Sequence, residues 1–189
     1  MAEVSDNAAI FIATSFQAMK RAEFGIPPNA VTVNLMIALV FLGFYLEENL
    51  DVIITRLNKD IELKEFFNDR KSKKKLGLLN KFGWFYNSYV TQSSSMLKKS
   101  SSKFMEDLVG NIEGRFPGFE KIYTFRNPVS HGKIEHSLLI PDVYVLRERA
   151  KAITDELLEI VKQKEGVVIE KNISYQDAIT NFEKTHPAI

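Results

Sequence analysis

Arg126 and His131 are the two side chains of this 189-residue sequence whose types and spacing best suit a chemical reaction. They belong to the stretch Arg-Asn-Pro-Val-Ser-His-Gly, residues 126–132. A guanidinium stays charged and donates hydrogen bonds as a planar fork, whereas an imidazole exchanges a proton near neutral pH. One local turn can aim both groups at the same anion, and a phosphate suits both. We therefore predict that Arg126 and His131 converge on one solvent-accessible, phosphate-binding pocket.

The dipeptide Asn127-Pro128 predicts a helix start, because Asn is a favoured N-cap and Pro suits the first helical position. Such a start would point backbone N–H groups and the positive end of the helix dipole at the anion. In this interpretation Arg126 ends one helix and His131 lies in the first turns of the next segment. The alternative is that the stretch is only a well-formed turn, with Arg126 on the surface and His131 capping backbone groups.

The stretch resembles the motif of the HEPN family, whose active members carry Arg, four to six residues and then His, usually with a polar residue directly after the Arg. Here Asn127 follows Arg126, three residues intervene before His131, and Gly132 comes next. The close resemblance covers about seven residues. Family members with an extended motif carry Tyr two residues after the His, where this sequence has Lys133.

The resemblance implies an endoribonuclease that needs no metal and no cofactor and leaves 2′,3′-cyclic phosphate and 5′-hydroxyl ends. His131 would be the general base or acid, Arg126 would stabilise charge on the phosphate oxygens, and Asn127 would cap the turn or orient the phosphate. HEPN proteins also commonly carry an acidic residue after a Leu in an early long helix. Leu46-Glu47 is similar, so Glu47 is carried over as a fourth catalytic candidate.

The resemblance also implies partners. HEPN proteins commonly dimerise and bring two copies of the motif into one cleft, so we expect RNA as substrate and a homodimer with a composite active site. Such proteins often belong to toxin–antitoxin, abortive-infection or other defence systems, which suggests an antitoxin or a nucleotidyltransferase-like partner. The alternative is a non-catalytic helical module of the same fold that binds RNA or protein. Inactive members usually lose the Arg or the His, and this chain keeps both Arg126 and His131.

Length and composition indicate one ordinary globular domain with a small appendage. We predict a helical domain over residues 1–165 and a C-terminal appendage, residues 166–189, that packs on the bundle or is partly disordered. The chain has no cysteine, which excludes disulfides and thiolate metal sites. Glu3 and Asp6 stand where a signal peptide would carry basic residues, so we expect a cytoplasmic protein without membrane association.

Positive charge concentrates in the middle of a chain whose net charge is only +1. Residues 56–103 hold 12 Lys and Arg against 4 Asp and Glu, whereas the segments before and after carry −4 and −3. A basic region of this kind is typical of a nucleic-acid contact, although a solvated loop gives the same pattern. The residues predicted to contact RNA are Lys71, Lys73, Lys74, Lys75 and Lys133.

The elements that must position the motif are helical. A single long helix over about residues 29–60 is predicted by an apolar seam in steps of three and four: Leu35, Leu39, Leu42, Leu46, Leu50, Ile53 and Leu57. Its apolar run, residues 31–46, is 16 residues long, and a membrane span needs about 20. We therefore predict an all-α, up-and-down bundle of four to six helices around this central helix.

The remaining pattern supports the same fold class. Helices are predicted over residues 6–23, over 76–90, around 104–112, over 119–125 and from Pro141 to Gly166, and a short strand over 167–169. The aromatic stripe within 76–90 is expected in the core, and base stacking is its alternative.

Other reactive sites lack support in the sequence. His131, His136 and His186 do not have the spacing of a metal site, and no nucleotide-binding glycine loop or G-x-S-x-G turn occurs.

Overall fold

The computed structural model describes five stretches of the chain: residues 7–24, 28–66, 76–91, 102–130 and 139–169. These residues form seven α-helices, one π-helical segment and no strand. The helices are α1 (Asn7–Glu23), α2 (Pro28–Arg56), α3 (Asp60–Phe66), α4 (Leu78–Phe85), α5 (Ser102–Arg115), α6 (Phe119–Ser130) and α7 (Ile140–Glu165). The π-helical segment, Tyr86–Thr91, continues α4. The predicted all-α class is confirmed.

The central element is α2, which contacts α1, α4, α6 and α7. Six residues of the predicted seam are at most 1% exposed: Leu35, Leu39, Leu42, Leu46, Leu50 and Ile53. Among the described helices, α2 is the one long and apolar enough to cross a membrane by length and composition alone. Because its seam is buried against four other helices, α2 is the core helix of the bundle, as the sequence predicted.

Leu46→Ala tests the seam directly. The Leu46 side chain is fully buried, so we expect the free energy of unfolding to fall by about 2–5 kcal/mol through lost transfer energy and the cavity left behind. Urea denaturation followed by circular dichroism measures the loss. Leu139→Ala, the same change at a side chain that is 64% exposed, is the matched control. Equal effects of the two substitutions would show that the seam is assigned wrongly.

The predicted long helix over residues 29–60 ends earlier than expected. Asn58 adopts a left-handed conformation with φ of 54°. The amide of Lys59 donates to the carbonyl of Ile54 and that of Asn58 to Thr55, which is the Schellman arrangement that ends helices. The chain then restarts as α3. This break is one reason for seven helices rather than the predicted four to six.

The aromatic stripe of α4 and its π-helical continuation lies in the core. Phe82, Trp84, Phe85 and Tyr89 are at most 7% exposed, so the prediction that this stripe packs inside is confirmed. The hydroxyl of Tyr89 donates to Glu165 at 2.7 Å, which ties the π-helical segment to the end of α7. Burial, followed by this neighbouring carboxylate, raises the pKa of Tyr89.

The C-terminal end of α7 is set by Gly166, which adopts φ of 67° as a left-handed cap. Val167 and Val168 follow as exposed chain without regular secondary structure, and Ile169 packs on the core. The strand predicted over residues 167–169 is wrong, because in the described part of the chain no second strand offers it hydrogen bonds. The rest of the predicted appendage, residues 170–189, lies outside the described residues.

Candidate active site

The motif begins on α6 and not at a helix start. α6 runs without a break from Phe119 to Ser130, so Arg126, Asn127 and Pro128 lie within one helix. The predicted N-cap at Asn127 is therefore wrong. Pro128 lacks one N–H group, but tertiary packing of the first turns of α6 holds the helix in place.

This correction changes how an anion would be held. The unpaired backbone groups at the C-terminal end of a helix are carbonyls, which carry partial negative charge. No set of N–H groups points outward at Asn127, so the helix end cannot supply the phosphate site that the sequence suggested. In this interpretation the attraction for a phosphate comes from side chains, and Arg126 is a cationic residue of this part of α6.

The other half of the motif and most predicted RNA contacts lie outside the described residues. These are His131, Gly132, Lys133 and the basic run with Lys71, Lys73, Lys74 and Lys75. For residues 126–130 the structure describes the helical backbone. The convergence of Arg126 and His131 on one pocket stays a prediction.

Packing at its N-terminal end fixes the direction of α6. Phe119 and Ile122 are fully buried, and the Phe119 ring lies 4.4 Å from that of Phe82 on α4. Glu113 of α5 caps the helix, because its two carboxylate oxygens accept hydrogen bonds from the amides of Gly118 and Glu120, each at 2.8 Å. These contacts attach the helix that carries Arg126 firmly to the bundle.

The turn into α6 depends on a glycine. Gly118 has φ of 98°, and a Cβ atom added there would lie 2.9 Å from the Cβ atom of Arg149 on α7. Both the backbone conformation and the close approach of α7 therefore favour glycine at this position.

Glu47 is the predicted site residue whose side chain the structure describes. Its Oε1 atom lies 2.9 Å from the Nζ atom of Lys81 on α4, and the Oδ1 atom of Asp51 lies 2.7 Å from the same nitrogen. The Lys81 side chain is 2% exposed, whereas those of Glu47 and Asp51 are 14% and 23% exposed. Glu47 and Asp51 are one helical turn apart on α2, so a single ammonium group bridges both carboxylates.

Lys81 is a residue that the sequence interpretation missed. It stands inside the apolar helix Leu-Leu-Asn-Lys-Phe-Gly-Trp-Phe, where a lysine is costly to bury without a partner. That position, together with the acids Glu47 and Asp51 one turn apart on the central helix, was the sequence signal that could have indicated a buried ion pair. Lys81 belongs to the basic region of residues 56–103, but its ammonium group is buried in an ion pair. It therefore does not add to the positive charge on the surface of that region.

The described part of the chain contains no group of three or more His, Asp or Glu side chains placed to hold a metal ion. His131, His136 and His186 lie outside it. The expectation that catalysis needs no metal and no cofactor therefore stays a prediction.

Comparisons with known proteins give no match to a family model, to a curated protein or to a solved structure. The likeness to the HEPN family thus rests on the motif residues and on the all-α fold.

Proposed function

We propose that this chain is a metal-independent endoribonuclease of the HEPN type, with Arg126 and His131 as its catalytic residues. The observation that carries the proposal is the spacing Arg126-Asn127-x3-His131 at the end of an internal helix. Support comes from the surroundings of that helix, since α6 is capped by Glu113 and packs on the central helix α2. A guanidinium on a firmly held helix meets the need of phosphate chemistry for a fixed positive charge.

In the proposed reaction the RNA 2′-hydroxyl attacks the adjacent phosphorus. One His131 imidazole takes the hydroxyl proton as the bond from O2′ to phosphorus forms. The bond from phosphorus to O5′ breaks, and the leaving O5′ receives a proton from an imidazolium on the opposite side. The products are a 2′,3′-cyclic phosphate and a 5′-hydroxyl. Arg126 stabilises the extra negative charge on the phosphate oxygens, and its planar fork fits two of them at once.

The proposed reaction requires two copies of the chain. In-line displacement places the base and the acid on opposite sides of the phosphorus, and one His131 cannot easily reach both. A homodimer that brings two copies of the motif into one cleft supplies the second imidazole. Asn127 is proposed to orient the phosphate, because a capping role no longer fits a residue inside α6.

Glu47 is proposed to position the site rather than to contact RNA. Its carboxylate binds the buried ammonium group of Lys81 and so joins α2 to α4. α4 in turn carries Phe82, which packs on Phe119 of α6. Loss of Glu47 is therefore expected to act on cleavage through the stability of the bundle.

The experiment incubates purified protein with RNA in EDTA and determines the chemistry of the new ends. We expect cleavage to survive the chelator. The new 5′ ends should accept phosphate from a kinase without prior phosphatase treatment, and the new 3′ ends should resist ligation until the cyclic phosphate is opened and the resulting monophosphate is removed. Products with a 5′-phosphate and a 3′-hydroxyl, or cleavage that EDTA abolishes, would contradict the mechanism. RNA binding without cleavage would favour the non-catalytic binding module instead.

A further inference from the structure

Two adjacent helices present an apolar face that no described element covers. The exposed or half-exposed side chains on the outer side of α1 and α2 are mainly apolar: Ile10, Phe11, Val33, Ile37, Phe41 and Phe44, with the uncharged polar side chains of Thr14, Gln17 and Asn34 beside them. Ile10 and Val33 are each 48% exposed. Phe11, Phe41 and Phe44 contact one another, with ring centroids 5.5 to 5.9 Å apart.

The face is also free of charge. Residues 7–19 and 28–46 contain no Asp, Glu, Lys, Arg or His. Scattered exposed apolar residues are normal on a protein surface, but a continuous uncharged face with clustered aromatics is typical of the centre of a protein interface. By contrast, charged side chains such as Arg149, Asp155 and Glu159 stand on the exposed side of α7.

Charged residues of opposite sign lie at the two ends of this face. Asn7 donates to Glu48 at 3.4 Å and Phe11 contacts Phe41, so α1 and α2 run antiparallel. Arg21, which is exposed, follows Asn7 by 14 residues and therefore lies about 21 Å along the helix axis from the Glu48 end. The face thus has a basic end at Arg21 and an acidic end at Glu48.

We propose that this face is an interface with a second copy of the chain, which packs antiparallel about a two-fold axis near Val40. This symmetry lays the apolar stripe of one copy on that of its partner and brings the basic end of each against the acidic end of the other. Val40, midway between the two ends, lies close to its own counterpart. The inference rests on the packing and charge of α1 and α2 and not on the proposed ribonuclease function.

The size of the face fits this occupant. α1 has 17 residues and is about 25 Å long. Two neighbouring helices about 10 Å apart then give a face on the order of 500 Å² in projection, comparable in scale to the roughly 800 Å² that each partner of a standard interface buries. A lipid surface fits less well. Helices that lie on membranes carry mainly Lys and Arg beside the apolar face, whereas here the basic end at Arg21 is offset by Glu47, Glu48 and Asp51 at the other end.

Sedimentation velocity of the full chain without RNA tests the interface. We expect a dimer for the wild type and a monomer for Ile37→Asp. The dissociation constant of the dimer should rise more than about 100-fold, because each variant dimer would bury two carboxylates. Val145→Asp is the matched control, since Val145 is 57% exposed on α7, and it should stay dimeric. A monomeric wild type would overturn the proposal, as would a dimer that Ile37→Asp leaves intact.

Charge exchange and cross-linking test the geometry. Arg21→Glu and Glu48→Arg are each expected to raise the dissociation constant of the dimer about tenfold, because the two-fold symmetry repeats the altered charge pair. The double variant restores opposite charges and should recover the affinity of the wild type. The natural chain has no cysteine, so Val40→Cys should give a disulfide-linked dimer on mild oxidation, whereas Ala152→Cys on the exposed side of α7 should not.

A flotation assay with vesicles of phosphatidylcholine and phosphatidylserine separates the lipid alternative. The dimer is expected to stay unbound, because its apolar face is covered. If the wild type is monomeric and binds the vesicles, and Ile37→Asp abolishes that binding, the face is a lipid-binding surface. That result would overturn the proposal. A dimer that forms as described but has no ribonuclease activity would leave the interface standing and contradict only the proposed function.

Discussion

Replacing Lys81 by alanine is expected to lower the free energy of unfolding by about 3–5 kcal/mol. The Lys81 ammonium group lies within 2.9 Å of carboxylate oxygens of both Glu47 and Asp51, and its side chain is 2% exposed. Without it, two largely buried carboxylates one helical turn apart would repel each other with no cation between them. The residual exposure of Glu47 and Asp51 places the loss toward the lower end of that range. Urea denaturation followed by circular dichroism gives the value.

Two control variants separate charge from packing. Lys121→Ala removes an exposed lysine from α6 and should change stability by less than about 0.5 kcal/mol. Lys81→Met combined with Glu47→Gln and Asp51→Asn removes all three charges while keeping similar volumes, and should recover most of the loss. A Lys81→Ala protein as stable as Lys121→Ala would show that the ion pair is not formed as described.

The architecture of the core was predictable because burial follows helical periodicity. The seam of α2 repeats every three or four residues over about five turns, and tertiary packing buries it as the pattern requires. The end of α7 was equally clear, since Gly166 is a strong stop signal.

Helix ends near Asn and Pro were harder to predict, because the same residues have opposite meanings in different contexts. Asn58 ends α2 in a left-handed conformation that the continuing apolar seam concealed. Asn127-Pro128 has the composition of a helix start, yet it lies in the last turns of α6, whose course is set by buried Phe119 and Ile122. Local preference is weak compared with such packing.

The contacts of the candidate site could not be predicted from the sequence. The partner of Glu47 is 34 positions away on another helix, and only the fold brings Lys81 to it. The apolar face of α1 and α2 was equally hidden, because a sequence does not reveal which apolar residues of a core helix stay outside the core.

His131→Ala is expected to lower the rate of RNA cleavage about 10²- to 10⁴-fold, the usual contribution of a general acid or base. Cleavage has two proton transfers, and in a homodimer the substitution removes the imidazoles for both. Arg126→Lys should also cleave poorly, because the ammonium group keeps the charge but cannot donate the two parallel hydrogen bonds of a guanidinium.

The same residue changes at positions outside the motif serve as controls for these losses of activity. His186→Ala removes another histidine outside the motif, and Arg149→Lys makes the same exchange at an exposed position of α7. Both should cleave like the wild type. Circular dichroism should give the same unfolding midpoint for all four variants and the wild type, so that a change in rate does not report unfolding.

The most direct measurement compares initial rates of RNA cleavage by wild type, His131→Ala and His186→Ala, purified identically and assayed in EDTA. The proposed function predicts that the wild type and His186→Ala cleave at equal rates with 2′,3′-cyclic phosphate ends, and that His131→Ala is at least about 100-fold slower. Equal rates for wild type and His131→Ala would contradict it, because the cleavage would then come from another site or from a contaminant.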